Sequence, residues 1–173
     1  METLKPGQLV DKSIELASSI SCSVRKTGQT VAVAESLTSG SIACHLGAAE
    51  ESSKWFRGAV IAYDSEVKFT VLGVDRGPVM TASCAAQMVA GVVSLTGADV
   101  AVAVTGVGGP GSEEGQPSGT VFIAVQAAAN TKVEKHQFPG DPTQVVQATT
   151  FHALTMLLTA LQLHGTGTSS PLS

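Results

Sequence analysis

Three short segments of this 173-residue chain carry side chains suited to acyl transfer. The first, Glu35-Ser36-Leu37-Thr38-Ser39-Gly40, follows the apolar run Val31-Ala32-Val33-Ala34, where a buried strand should give way to a helix starting near Thr38 or Ser39. Such a junction aims backbone N–H groups at the strand's end. It favours an anion there, including the oxyanion formed if Ser36 Oγ attacks a carbonyl. The same residue types are common helix caps, so Ser36, Thr38 and Ser39 also admit a purely capping role. The second segment places Tyr63 and Lys68 around another strand-to-helix junction. Helical side chains lean towards the helix N-terminus, so Lys68 reaches the same edge, where the helix dipole and partial burial lower its pKa. A neutral lysine takes a serine proton, and the Tyr63 phenol, both donor and acceptor, can relay that proton or orient the amine. The alternative is an exposed Lys68 paired with Asp64 and a Tyr63 ring closing the core.

The third segment, Thr105-Gly106-Val107-Gly108-Gly109-Pro110-Gly111, follows the apolar stretch Val100 to Val104. In α/β sheets ligands bind at the carboxyl ends of the strands, so this loop is placed to line a site. It lacks the Gly-Lys-Ser/Thr ending of a P-loop and the spacing of a dinucleotide fingerprint. Its glycines let backbone N–H groups approach a phosphate or ribose closely, or else simply form a tight surface loop.

These segments need elements to hold them. Apolar residues at Val10, Ile14, Ala17, Ile20 and Val24 predict an amphipathic helix over Gln8–Lys26 that Gly28 ends. Val31–Ala34, Trp55–Tyr63 and Asp99–Val104 read as strands, the first and last buried on both faces. Asp64-Ser65 caps a helix holding Val67, Lys68 and Val71, and Thr81 or Ser83 caps a longer one that ends at Gly97. Residues 106–119 form a long loop. Thr120–Gln126 and Val133–Phe138 read as a hairpin linked through Asn130-Thr131, and Asp141-Pro142 starts a last helix that runs to about His164 on Val145, Leu154, Leu157, Leu158 and Leu161. The order predicts an α/β fold, a three-layer α/β/α sandwich with a mixed, mostly parallel sheet ending in a β-hairpin. It occupies 1–164 as a single domain, with 165–173 a flexible tail.

Hydrophobic residues make up 43% of the chain and charged residues 14%, a balance that builds a core. With aromatics at 4%, Val, Ala, Leu and Ile must fill it. The net charge of −4 argues against a nucleic-acid or anionic-membrane partner. No apolar run reaches the roughly 18 residues of a membrane span and no basic segment precedes one at the N-terminus, so a cytoplasmic protein is expected. Cys22, Cys44 and Cys84 lack the paired spacing of a zinc site and read as free, mostly buried thiols, and no metal is expected.

Taken together, Ala34-Glu35-Ser36, Phe56-Arg57-Gly58-Ala59-Val60-Ile61-Ala62-Tyr63 with Lys68, Val104-Thr105-Gly106 with Gly109-Pro110-Gly111, and Gly119-Thr120-Val121 resemble the C-terminal domain family of the competence/damage-inducible protein CinA. Many members are nicotinamide-nucleotide amidohydrolases. The resemblance implies Ser36 as nucleophile, Lys68 as general base and Tyr63 as its partner. Glu35, Thr38, Ser39 and Gly40 are expected around the substrate, together with Thr105, Gly106, Gly108 and Gly109. It implies conversion of nicotinamide mononucleotide to nicotinic acid mononucleotide and ammonia through an acyl-enzyme, with no metal or cofactor. The partners expected are a small-molecule nucleotide substrate and a second copy of the chain in a homodimer or higher homo-oligomer. The chain departs from the family pattern at Leu37, where cysteine is common, at Ser39, where glycine is usual, and at Pro142, Val145 and Val146, where an arginine is usual. These departures keep open a catalytically silent binding or regulatory module, or a hydrolase of another small amide.

Overall fold

Val31-Ala32-Val33-Ala34 and Val100-Ala101-Val102-Ala103 alternate a large and a small apolar residue, and an extended chain sends alternate side chains to opposite faces. The computed structural model, which describes residues 6–164, shows what that alternation does. In chain order its elements are α1 (Pro6–Thr27), β1 (Val31–Glu35), α2 (Ser41–Gly47), α3 (Ser52–Trp55), β2 (Phe56–Ile61), α4 (Ser65–Thr70), α5 (Ala82–Thr96), β3 (Val100–Gly106), β4 (Thr120–Ala127), β5 (Asn130–Gln137) and α6 (Pro142–His164). The valine face of β1 and β3 packs on Ile20 and Val24 of α1 and on Leu154, Leu157 and Leu161 of α6. Each of those leucines is fully buried and contributes about 1.5–3 kcal/mol. The alanine face receives Ala85, Met88, Val89 and Val92 of α5, and its short side chains let that helix lie close to the sheet.

The sheet order is β2-β1-β3-β4-β5. β1 pairs in parallel with both β2 and β3, β3 pairs antiparallel with β4, and β4 pairs antiparallel with β5. Four of the five strands therefore run one way, and the sheet is mixed and closes on a hairpin, the α/β arrangement expected. Helices cover both faces.

Several boundaries differ from expectation. α2 begins at Ser41 because Ser39 at φ 50° and Gly40 at φ 101° occupy the left-handed region, which a right-handed helix excludes. The hairpin turns at Ala128-Ala129, with Asn130 and Thr131 already in β5 opposite Ala127 and Gln126. Trp55 ends the one-turn α3 and β2 starts at Phe56. On α1 the inward face runs through Ser13, Ala17, Ile20 and Val24, whereas Val10 and Ile14 are exposed. Cys84 is buried, but Cys22 and Cys44 are exposed, contrary to the reading of all three as mostly buried. Each lies on the outer side of an amphipathic helix, where composition alone gives no direction. The tail expected over 165–173 lies outside the described residues. Among the described residues no helix is long and apolar enough to cross a membrane.

Candidate active site

β1, β2 and β3 finish at one edge, and each delivers a piece of the site there. β1 ends at Glu35 opposite Ile61, and the ladder gains one more rung where Ala62 N–H donates to the Glu35 carbonyl at 2.7 Å. The Ala62 carbonyl is the next acceptor in line, but Lys68 Nζ takes it at 2.8 Å and also donates to the Tyr63 carbonyl at 3.3 Å. Ser36, first residue after β1, thus stands one strand spacing, about 4.8 Å, from Ala62, whose carbonyl holds the Lys68 amine, and among the described residues Lys68 Nζ donates to the Ala62 and Tyr63 carbonyls rather than to Ser36 Oγ. The Leu37 N–H, displaced from that ladder, has no acceptor among the described residues. The same holds for the N–H groups of Gly108 and Gly109, and Gly108 lies against the Leu37 side chain.

Lys68 is 1% exposed, the largest fully buried side chain among the described residues. Its expected alternative, an exposed ion pair with Asp64, is excluded by this burial. Burial lowers its pKa below the ordinary lysine value, opposed by the more distant charges of Asp64, Glu113 and Glu114. The Cys84 thiol, which also bonds Thr105, is pushed up to about 11 by burial, so near neutrality it gives the amine no negative neighbour. An amine that donates two hydrogens to two carbonyls and faces no carboxylate has its lone pair left to accept a proton.

A cavity of about 590 Å³ opens over this edge. Ser36, Leu37, Tyr63, Gly106, Gly108 and Gly109 reach its wall, as the sequence reading required of all but Leu37. Tyr63 stands at the rim, 70% exposed, and it is its backbone carbonyl, not its phenol, that holds Lys68. Glu35, Thr38, Ser39, Gly40 and Thr105 are not on the wall, and neither is the buried Lys68. The Glu35 carboxylate is fully buried and accepts from Thr38 Oγ1 at 2.6 Å and from the N–H groups of Gly40, Ile42 and Ala43 at 2.8–3.2 Å. It caps α2 from inside, so the N–H groups expected to face an anion are already taken. Thr105 Oγ1 donates to the Val79 carbonyl at 2.9 Å and fixes the loop before α5. Gly106 is required because a Cβ there would collide with the Thr120 carbonyl and Val121 Cα across the β3–β4 ladder.

The sequence reading missed part of the wall. Ser41 and His45 of α2, Glu113 of the long loop, and Thr143, Gln147 and Thr150 of α6 also line the cavity. His45 Nδ1–H donates to the Ser41 carbonyl at 2.7 Å, which leaves Nε2 free to face the cavity. Helical spacing links Ser41 to His45 and Thr143 to Gln147 and Thr150, but only the packing of α2 against α6 brings the two faces together.

Comparison with known proteins agrees with this architecture. A CinA-like protein of Geobacter metallireducens is 36% identical over 146 residues, 81% of this chain and 35% of that protein. The chain spans about a third of the length of the curated relatives it matches. The crystal structure of the competence/damage inducible protein CihA from Agrobacterium tumefaciens is 30% identical, with a TM-score of 0.83 over 92% of this chain and 99% of that one. A competence-damaged protein (CinA) superfamily protein from Escherichia coli is 29% identical, with a TM-score of 0.84 over 91% and 93%. The model of the CinA C-terminal domain matches residues 13–161, and the chain belongs to that family.

Proposed function

We propose that this domain is a serine amidohydrolase that converts a nicotinamide-type primary carboxamide to its carboxylate and ammonia. The reference substrate is nicotinamide mononucleotide, which the family resemblance implies. The observation that supports this most is the buried Lys68 amine held by two carbonyls at the sheet edge beside Ser36. The neutral amine takes the Ser36 proton as Oγ bonds to the carboxamide carbon, and the oxyanion turns towards the free Leu37 N–H. The lysine ammonium returns its proton to the leaving nitrogen, the C–N bond breaks, and ammonia departs from an ester on Ser36. Water then attacks that ester, Lys68 accepts the water proton, and the C–O bond to Ser36 breaks to release the acid. Lys68 gives its proton back to Ser36 Oγ, so one amide and one water yield one acid and one ammonia.

Ammonia release from nicotinamide mononucleotide by the purified protein tests the reading. Turnover is expected, with Ser36→Ala and Lys68→Ala each lowering kcat by about 10³-fold or more. Folded protein that releases no ammonia from any of a panel of nucleotide and nucleoside amides is a binding module instead.

A further inference from the structure

Helices that start at the carboxyl end of a sheet usually offer unpaired amides to an anion. In this protein several of those amides are occupied by the chain's own carboxylates, and the unpaired Leu37, Gly108 and Gly109 amides lie beside Ser36. Glu35 accepts three amides at the start of α2, whose Ser41 lines the cavity. Asp64 accepts the Glu66 amide at 2.7 Å at the start of α4, next to the rim residue Tyr63. Glu114 accepts the amides of Val79 and Met80, each at 2.8 Å, just before α5, and Met80 is on the wall. Asp141 accepts the Gln144 amide at 2.9 Å at the start of α6, beside the lining residues Pro142 and Thr143.

No lysine or arginine lines the cavity among the described residues, whereas Glu113 does. The α6 wall is uncharged, and Thr143, Gln147 and Thr150 are its polar groups. Thr150 Oγ1 lies 3.0 Å from Ser41 Oγ, and Gln147 Oε1 is buried with no donor among the described residues. An acceptor in that state calls for a donor from the ligand, which a sugar hydroxyl supplies and a phosphate dianion does not.

We propose that the cavity selects a carboxamide whose remaining portion is neutral or cationic and carries no phosphate, a pyridinium carboxamide riboside being the fitting class. This rests on reading the site as an amidohydrolase centre and narrows the substrate within it. A phosphate placed here meets Glu113 with no lysine or arginine on the wall to offset it, and the unpaired amides beside Ser36 are left to the carboxamide oxygen. The positive pyridinium ring suits Glu113, and the ribose hydroxyls suit Gln147 and the Ser41–Thr150 pair.

Two measurements test this. With wild-type protein, ammonia release should give a kcat/KM for nicotinamide riboside at least equal to that for nicotinamide mononucleotide. Glu113→Lys should shift the ratio towards the mononucleotide by about tenfold, the sign expected when a repulsive charge becomes attractive. A wild-type preference for the mononucleotide overturns the proposal but leaves the amidohydrolase reading intact. Calorimetric binding to Ser36→Ala decides the point without turnover. Riboside binding at least as tight as the mononucleotide supports selection against phosphate. Tighter mononucleotide binding, displacement by inorganic phosphate, or binding of neither overturns it. Absence of ammonia release from every amide counts against the reaction class alone.

Discussion

Lys68 is the residue on which the chemistry turns, because a buried amine without a carboxylate partner is costly to keep charged. Its folded-state pKa is depressed, so between that value and the ordinary 10.5 the unfolded chain binds more protons than the folded protein. The penalty from this residue is therefore full below the folded pKa and fades as pH rises towards 10.5. Denaturant titrations across that window should show stability rising with pH in the wild type and a flatter profile in Lys68→Met. The same proton controls the rate, so kcat/KM should climb with pH through the depressed lysine pKa. Lys68→Arg should lose about 10²-fold or more and should not recover at higher pH, since a guanidinium stays charged. Unchanged activity in that variant would show that the lysine does not act as the base.

At the scale of elements, the site depends on two devices that hold loops rather than on the strands alone. Glu35 ties the 36–40 turn to α2 through four hydrogen bonds. Glu35→Ala should cost on the order of 3 kcal/mol, and should lower kcat in protein that still folds because Ser36 sits on that turn. Gly91 is the second device. A Cβ there would strike the Leu72 carbonyl, with Leu72 C and Cα at 2.8 and 2.9 Å. Alanine normally improves a helix interior by up to about 1 kcal/mol over glycine, but here Gly91→Ala should destabilise by about 1–3 kcal/mol because the obstacle is backbone. Thermal melts of the two variants check both statements.

How far these elements could be read in advance varies with the physics behind each. The Val-Ala runs, the Asp64 cap and the Asp141-Pro142 start are local signals, and the structure places elements where they said. The start of α2 was misjudged because Thr38 and Ser39 look like caps. The actual cap is the carboxylate of Glu35, which lies outside the helix and completes it through a left-handed turn at Ser39 and Gly40. The hairpin turn was misplaced because Ala128-Ala129 carries no turn chemistry, although Ala128 takes φ 51°. Ser36, Tyr63 and the glycines at 106, 108 and 109 reach the cavity wall and stand just past or at strand ends, which is a local signal. His45, Glu113 and Gln147 were not legible, since no local spacing says that α2, the long loop and α6 share one cavity.

Over the whole molecule, the layered fold acts as a frame that gathers three strand ends, and the charge around them sets the frame's selectivity. At the sheet edge Glu35, Asp64, Glu114 and Asp141 hold the helix and loop starts, and Lys68 is the one buried basic side chain among the described residues. Everything in the functional reading depends on Ser36 and Lys68 working as one unit at that edge. A double-mutant cycle tests this most directly, with kcat for ammonia release measured in the wild type, Ser36→Ala, Lys68→Ala and the double variant. The account predicts that the double variant loses little more than either single one, because removing one member already disables the pair. Losses that multiply independently, or single variants that retain full activity, would contradict it.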